Sequence, residues 1–174
     1  MLEGKSVLMI IARQKFRDEE LAEPRAVLQD AGAKVTIASS AIEESVGMLG
    51  KVKVKADVTI DKVNAKAYDA VIFVGGAGAS EYFEDATAHR IAKDAHAAGK
   101  IVGAICIAPA TLANAGLLKG VKATAFSGVK DALVEGGATF TGTGVQKDGR
   151  IITADGPQSA RKFGEAIRDS LAGK

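Results

Sequence analysis

Tryptophan is absent from this chain of 174 residues, and phenylalanine and tyrosine bring the aromatic fraction to only 5%. This scarcity argues against a surface that stacks nucleic-acid bases or sugars. The 23 Lys and Arg residues nearly balance the 21 Asp and Glu residues, and their scatter along the chain argues against a basic nucleic-acid-binding patch. No apolar run approaches the length of a membrane span, and we expect no signal peptide ahead of the first apolar segment. We therefore expect neither a nucleic-acid partner nor a membrane.

Cysteine is nearly absent too, since Cys106 is the only one in the chain. A lone cysteine excludes a disulfide within the chain, and we therefore expect a reducing, cytoplasmic compartment. A chain of this length with 47% hydrophobic residues can bury its own core, and neither a linker nor an internal repeat marks a boundary. The sequence thus predicts a single domain over residues 1–174.

Strand and helix patterns alternate along the whole chain. Apolar runs predict buried strands over residues 6–12, 34–38, 69–74 and 100–105. Helices are predicted over residues 18–31, 84–98, 107–118 and from 157 to about 171. This alternation predicts an α/β fold with a mostly parallel sheet and helices on both faces.

Two short segments break this alternation. Asp148-Gly149 lies between apolar flanks and predicts a tight hairpin. Lysine and valine alternate over residues 51–55, so the lysines share one face of a strand. We interpret these lysines as a guard against edge-to-edge pairing, in preference to an anion-binding row.

Cys106 falls where the strand over 100–105 meets the next helix, which has Pro109 near its start and Gly116 near its end. A nucleophile on such a strand-turn-helix elbow points away from the sheet, and the helix N-terminus would lower its pKa. The alternative is a small buried hydrophobic residue, because free cysteines are often buried. Position alone leaves both interpretations open.

Two further features are expected beside Cys106, because the carboxyl ends of parallel strands meet at one edge. Gly75-Gly76 follows a predicted strand, and adjacent glycines can present N–H groups as an oxyanion hole requires. A simple tight turn is the alternative for an isolated glycine pair.

The second feature is the acidic stretch over residues 18–20, which follows the first strand. Pro24 disturbs the helix around Glu20, whether the helix runs through the proline or begins there. Because a carboxylate would repel a neighbouring thiolate, Glu20 could assist Cys106 only in its protonated form. Asp18 and Glu19 are expected to cap the helix and face solvent.

Together these residues resemble the ThiJ/PfpI superfamily, which includes the parkinsonism-associated deglycase and intracellular proteases. The features that carry the resemblance are the strand before Gly75-Gly76, the segment 104–109 around Cys106, Glu20 four residues before Pro24, and Lys147-Asp148-Gly149 with Gly156-Pro157. The resemblance covers nearly the whole chain. It implies a flavodoxin-like three-layer sandwich, no cofactor or metal, and a homodimer or higher homo-oligomer.

The resemblance also implies roles for individual residues. Cys106 would be the nucleophile on the elbow, and Glu20 would be its protonated hydrogen-bond partner. The amides of Gly75 and Gly76 would form an anion pocket with that of Ile107. The resemblance therefore implies catalytic roles for Cys106 and Glu20.

The chain departs from the family pattern where related branches carry histidine. The protease-like branch has histidine directly after the cysteine, where this chain has Ile107. The deglycase branch supplies a histidine from the following strand, where this chain has Phe126, and Ala108 replaces a usual glycine. The only histidines, His89 and His96, are expected to be solvated. Peptide cleavage would therefore lack the base that activates the thiol.

The function that these residues favour is cysteine-dependent chemistry on small reactive carbonyls, of the glyoxalase or deglycase type. The thiolate would add to an aldehyde, the backbone amides would hold the alkoxide, and Glu20 would relay the proton. One alternative is a non-enzymatic redox sensor that works through oxidation of Cys106. Another is a small-molecule hydrolase or hydratase that uses the same nucleophile.

Overall fold

Eleven strands and five α-helices make up the chain, and the computed structural model describes residues 1–174. The strands are β1 (Ser6–Ile10), β2 (Lys34–Ser39), β3 (Glu44–Val46), β4 (Lys53–Lys55), β5 (Val58–Thr59), β6 (Ala70–Phe73), β7 (Ile101–Ile105), β8 (Lys122–Ala123), β9 (Thr139–Phe140), β10 (Val145–Asp148) and β11 (Ile151–Ala154). The α-helices are α1 (Asp18–Asp30), α2 (Ala86–Ala97), α3 (Pro109–Asn114), α4 (Lys130–Glu135) and α5 (Ala160–Leu171).

Seven strands form one sheet in the order β10-β11-β7-β6-β1-β2-β5. Every neighbouring pair in this sheet is parallel except the hairpin of β10 and β11. The parallel strands β1, β6 and β7 are adjacent, so their carboxyl ends lie side by side at one edge. The predicted α/β flavodoxin-like fold is confirmed.

Alternate residues of the central strands point into two separate cores. Leu8 and Ile10 of β1 belong to a cluster that also contains buried residues of α2, α3 and α4. Val7 and Met9 belong to a second cluster, with buried residues of α1 and α5. Helices therefore cover both faces of the sheet, which explains why its strands read as continuous apolar runs.

The structure refines several predicted elements. The hairpin at Asp148-Gly149 is confirmed, since Asp148 pairs with Ile151 across it. Helix α1 runs through Pro24, whereas α3 is shorter than predicted and begins at Pro109. The lysine-valine strand is β4, and it pairs only with β3 in a separate two-stranded sheet. No helix has the length and apolar content that crossing a membrane requires.

Candidate active site

Cys106 occupies a left-handed backbone conformation between β7 and α3, with φ of +64°. This region is unfavourable for a residue with a side chain, so the surrounding structure must hold it there. The Cys106 N–H donates to the Ala154 carbonyl at 2.9 Å, and the Cys106 carbonyl accepts from the Phe126 N–H at 2.9 Å. The neighbouring strand β11 and the segment after β8 thus fix the turn, while the thiol itself is half-buried.

Glu20 lies in the first turn of α1 and is completely buried. Neither of its carboxyl oxygens has a hydrogen-bond partner of good geometry. A methyl group on Gly75 would collide with the Glu20 carboxyl and lie 2.7 Å from the Cys106 Cβ. Gly75 therefore lets the carboxyl and the thiol approach each other, and the structure brings together the two residues singled out in the sequence.

The burial of Glu20 decides its protonation. Burial raises the pKa of Glu20 to about 8, and the Cys106 side chain, the Arg17 guanidinium and the Gly75 N–H offset only part of this effect. A buried carboxyl without a strong partner is more stable in its neutral form. Glu20 is therefore predominantly protonated at neutral pH, as the sequence expectation requires.

The thiol departs from the sequence expectation of a lowered pKa. Burial, with the negative charge of an ionised Glu20, raises the pKa of Cys106 to about 12, although the N–H groups of Ile107 and Gly76 lower it. Burial of the thiol outweighs the predicted effect of the N-terminus of α3, which has only 6 residues. The contribution of Glu20 depends on its proton: ionised, it repels a thiolate, but protonated, it can donate a hydrogen bond to the sulfur.

The amides of Gly75, Gly76 and Ile107, which were expected to form one anion pocket, affect two different side chains. The amides of Gly76 and Ile107 lower the pKa of Cys106, whereas the amide of Gly75 lowers that of Glu20. Gly76 has φ of +107°, and a Cβ there would lie 2.7 Å from the Lys15 carbonyl oxygen. Close packing therefore requires glycine at both positions.

Arg17 is a site residue that sequence reasoning missed. It lies immediately before α1, and its N–H donates to the Gly75 carbonyl at 2.9 Å. Its guanidinium forms two hydrogen bonds of 3.1 Å with the Glu19 carboxylate, and Arg17 is one of the residues that line the cavity beside Cys106. An arginine next to an acidic stretch usually indicates a surface ion pair, so no sequence signal marked it as part of the site.

Asp18 does not face solvent as expected. It is only 2% exposed, and its carboxylate accepts hydrogen bonds from the N–H groups of Leu49, Lys51 and Val52 at 2.8 to 2.9 Å. Burial acts to raise the pKa of Asp18, but these three donors outweigh it and lower the pKa. The carboxylate therefore ties the turn between β3 and β4 to the start of α1.

A cavity of about 220 Å³ opens onto the thiol. Its lining residues include Arg17, Glu20, Met48, Cys106 and Phe126, and the last is 49% exposed. No histidine lines it, and no group of three or more His, Cys, Asp and Glu side chains is arranged to hold a metal ion. The groups present suit addition of sulfur to a carbonyl carbon, with N–H donors for the oxygen and a carboxyl for proton transfer.

The two histidines lie on α2 and take no part in this cavity. His89 is half-buried, and its Nε2 lies 2.8 Å from the Phe83 carbonyl oxygen, while His96 is exposed. The expectation of solvated histidines thus holds for His96 but not fully for His89.

Comparisons with known proteins agree with this architecture. A family model described as the DJ-1/PfpI family matches residues 5–170. An uncharacterized protein of Methanocaldococcus jannaschii is 43% identical over 173 residues, which are 98% of this chain and 84% of that protein. A protein named deglycase from Pyrococcus horikoshii is 33% identical over 150 residues, which are 86% of this chain and 90% of that protein. The crystal structure of a ThiJ/PfpI domain protein from Brachyspira murdochii matches with a TM-score of 0.94 and 31% identity, over 98% of this chain and 99% of that one.

Proposed function

The chain belongs to the DJ-1/PfpI family, and from that premise we propose that it is a cysteine-dependent enzyme acting on small reactive carbonyls. Relatives named as deglycases support a deglycase-type role at the level of the family. The observation that carries the finer proposal is the buried Glu20 carboxyl. It has no hydrogen-bond partner, and it lies beside the only thiol of the chain. Buried carboxyls with perturbed pKa values cluster at functional sites.

The proposed reaction begins when the small thiolate fraction of Cys106, whose pKa is raised to about 12, adds to the aldehyde carbon of an α-oxoaldehyde. A sulfur–carbon bond forms, and the carbonyl π electrons move to the oxygen. The N–H groups of Gly76 and Ile107, which lower the pKa of Cys106, would stabilise the developing alkoxide. Glu20 then donates its proton to the alkoxide, which leaves a hemithioacetal and a Glu20 carboxylate.

Glu20 performs the rearrangement as a base and then as an acid. Its carboxylate removes the proton from the carbon bonded to sulfur, and the resulting enediol receives a proton on the neighbouring carbon. The first carbon is oxidised and the second is reduced, so no external oxidant is needed. Water hydrolyses the thioester to a 2-hydroxy acid and restores the thiol. In a deglycase-type reaction the substrate is an adduct of the aldehyde with an amine. The amine leaves first, and the same steps then follow.

A redox sensor is the second candidate, and one observation favours it. The protonated Glu20 carboxyl has no other hydrogen-bond partner and could donate to an oxidised sulfur. Hydrogen peroxide would transfer an oxygen atom to the thiolate to give a sulfenate and water, and a second peroxide would give the sulfinate. Proteolysis is not part of the proposal, because no histidine lines the cavity.

We further propose that the partner of this chain is a second copy of itself. Ile42, Met48 and Leu49 lie around the hairpin of β3 and β4 and are 50%, 43% and 42% exposed. Large apolar side chains grouped at a surface favour an interface. Light scattering at micromolar concentration tests this proposal, and a monomer would contradict it.

The test of function incubates the protein with methylglyoxal and, in parallel, with hydrogen peroxide. We expect lactate to form catalytically in the parent and not in Cys106→Ser. Because the chain has no second thiol, mass spectrometry of the peroxide samples reports on Cys106 alone. Equal turnover by Cys106→Ser would contradict the proposal. A parent that forms no lactate but converts Cys106 to a sulfinate would favour the redox sensor.

A further inference from the structure

A second cavity, of about 240 Å³, adjoins the one at Cys106. Phe126 lines both cavities, and the short turn at 157–158 contributes Pro157 to the first and Gln158 to the second. The backbone of Phe126 is fixed relative to the thiol, because its N–H donates to the Cys106 carbonyl at 2.9 Å. The two cavities are therefore neighbours that share Phe126 as a lining residue.

The second cavity has a chemistry opposite to that of the first. Its only charged lining residue is Asp155, and its polar side chains also include Ser127 and Gln158. Ser159 donates a hydrogen bond of 2.6 Å to Asp155 Oδ1, while Oδ2 has no hydrogen bond from the protein. No cation pairs with this carboxylate, so one of its oxygens remains available to a ligand.

Two aromatic rings complete the cavity. Phe126 and Phe140 both line it, and aromatic faces attract organic cations. The Lys130 Nζ already lies 5.5 Å from the Phe140 ring centroid, so a ligand cation would share this ring with Lys130. The first cavity, by contrast, is lined by Arg17, and the N–H groups of Ile107 and Gly76 lower the pKa of the thiol onto which it opens.

We propose that the second cavity is a subsite for a positively charged organic group, a guanidinium or alkylammonium, carried by the molecule whose carbonyl carbon reacts at Cys106. The assignment to a substrate rests on the proposed function, whereas the cation preference rests on the cavity alone. Asp155 pairs with the charge, and the rings of Phe126 and Phe140 contact the apolar stem. The oxygen formed on the carbonyl carbon remains in the first cavity.

The test compares two methanethiosulfonate reagents that differ only in the tail, one trimethylammonium and one neutral and polar. Each forms a mixed disulfide with the Cys106 thiolate and releases methanesulfinate, so no catalytic turnover is needed. We expect the cationic reagent to react faster, and the ratio of the two rate constants to fall about fivefold in Asp155→Asn. Asparagine keeps an acceptor for the Ser159 hydroxyl, so the turn is preserved.

Two further variants make the result decisive. Asp61→Asn removes an exposed carboxylate that lines neither cavity, and it should leave the ratio unchanged. Gln158→Glu adds a carboxylate to the second cavity and should raise the ratio. A parent ratio near one, or equal ratios in Asp155→Asn and the parent, would overturn the subsite.

Binding of ethylguanidinium provides a readout without any reaction at Cys106. Nuclear magnetic resonance should show shifts of the amides of Phe126, Ser127, Asp155 and Gln158 in the parent, and weaker shifts in Asp155→Asn. Failure of the proposed function leaves these shifts and the reagent ratio intact while methylglyoxal is not turned over. Failure of the subsite alone leaves turnover intact and abolishes both the shifts and the ratio.

Discussion

Asp18 and Glu20 lie two residues apart in one helical turn, and both are almost completely buried, yet the structure treats them in opposite ways. Asp18 accepts three backbone hydrogen bonds and has a lowered pKa. Glu20 accepts none of good geometry, and burial raises its pKa to about 8. Burial alone therefore does not set the charge of a carboxyl; the supply of donors does.

This contrast separates a structural acid from one available for chemistry. The Asp18 carboxylate is fully occupied with the turn between β3 and β4 and has no capacity to exchange a proton near neutral pH. Glu20 has a proton, a pKa close to neutral and an adjacent thiol. Substitutions at the two positions should consequently affect different measurements.

The largest effect is expected on turnover in Glu20→Gln and Glu20→Asp. Both should lower the conversion of methylglyoxal by about 100-fold or more, because glutamine cannot relay a proton and aspartate does not reach the sulfur. Glu20→Gln retains a donor and removes the negative charge that raises the pKa of Cys106, so this pKa should fall, whereas Glu20→Asp keeps an ionisable carboxyl and should lower it less. Initial rates and the ultraviolet absorbance of the thiolate against pH measure these two effects.

Glu23→Gln is the matched control, because Glu23 is an exposed glutamate in the same helix. It should turn over like the parent. Parent-like rates in both Glu20 variants would show that Glu20 is only an acid at a helix start, and the proposed relay would be wrong.

The second effect is a loss of stability in Asp18→Asn. An amide in this position offers one acceptor oxygen where the carboxylate has two, and it buries an NH₂ group among backbone donors. We expect the free energy of unfolding in urea to fall by about 2 kcal/mol. Asp30→Asn, at the exposed end of the same helix, should change it little. An equally stable Asp18→Asn would show that the three hydrogen bonds contribute nothing net.

Asp18 and Glu20 should also make the free energy of unfolding depend on pH in opposite directions. Asp18 has a lowered folded pKa, so its contribution is present above its ordinary pKa of 3.8 and is lost as pH falls through the folded value. Glu20 has a raised folded pKa, so stability falls as pH rises from its ordinary 4.5 towards about 8. Glu20→Gln should flatten the second slope, and Asp18→Asn should flatten the acid one.

The smallest effect is expected for Glu19→Gln, which changes the residue between the two acids. The Glu19 side chain is 37% exposed and pairs with Arg17 at 3.1 Å. Surface pairs of this kind contribute little, and stability should change by less than about 0.5 kcal/mol. The released Arg17 charge should slightly increase alkylation of Cys106 by iodoacetamide. A stability loss as large as that in Asp18→Asn would show that the surface ion pair of Glu19 contributes as much as the buried hydrogen bonds of Asp18.

The features that could be predicted from the sequence are those that neighbouring residues determine. The apolar runs of β1, β6 and β7 and the turn chemistry of Asp148-Gly149 are local signals, and the structure places those elements as predicted. The closeness of Glu20 and Cys106 followed from the rule that strand ends meet at one edge together with the family resemblance. The glycine pair was correctly placed at the same edge, although its individual contacts were not predictable.

What sequence reasoning missed depends on partners that are distant along the chain. The donors to Asp18 lie 31 to 34 residues away, so a position at the start of a helix gave the wrong expectation of solvent exposure. The role of Arg17 beside the cavity depends on its hydrogen bond to Gly75, which brings the start of α1 to the end of β6. The raised pKa of Cys106 depends on how deeply the turn is enclosed, which no local pattern reports.

The left-handed turn at Cys106 also has a consequence for which residue is most stable at this position. With φ of +64°, this position suits glycine or asparagine better than cysteine. A glycine at this position would relieve the backbone strain, so Cys106→Gly should remove the thiol and gain stability at the same time. The thiol therefore has a conformational cost that only its chemistry can offset.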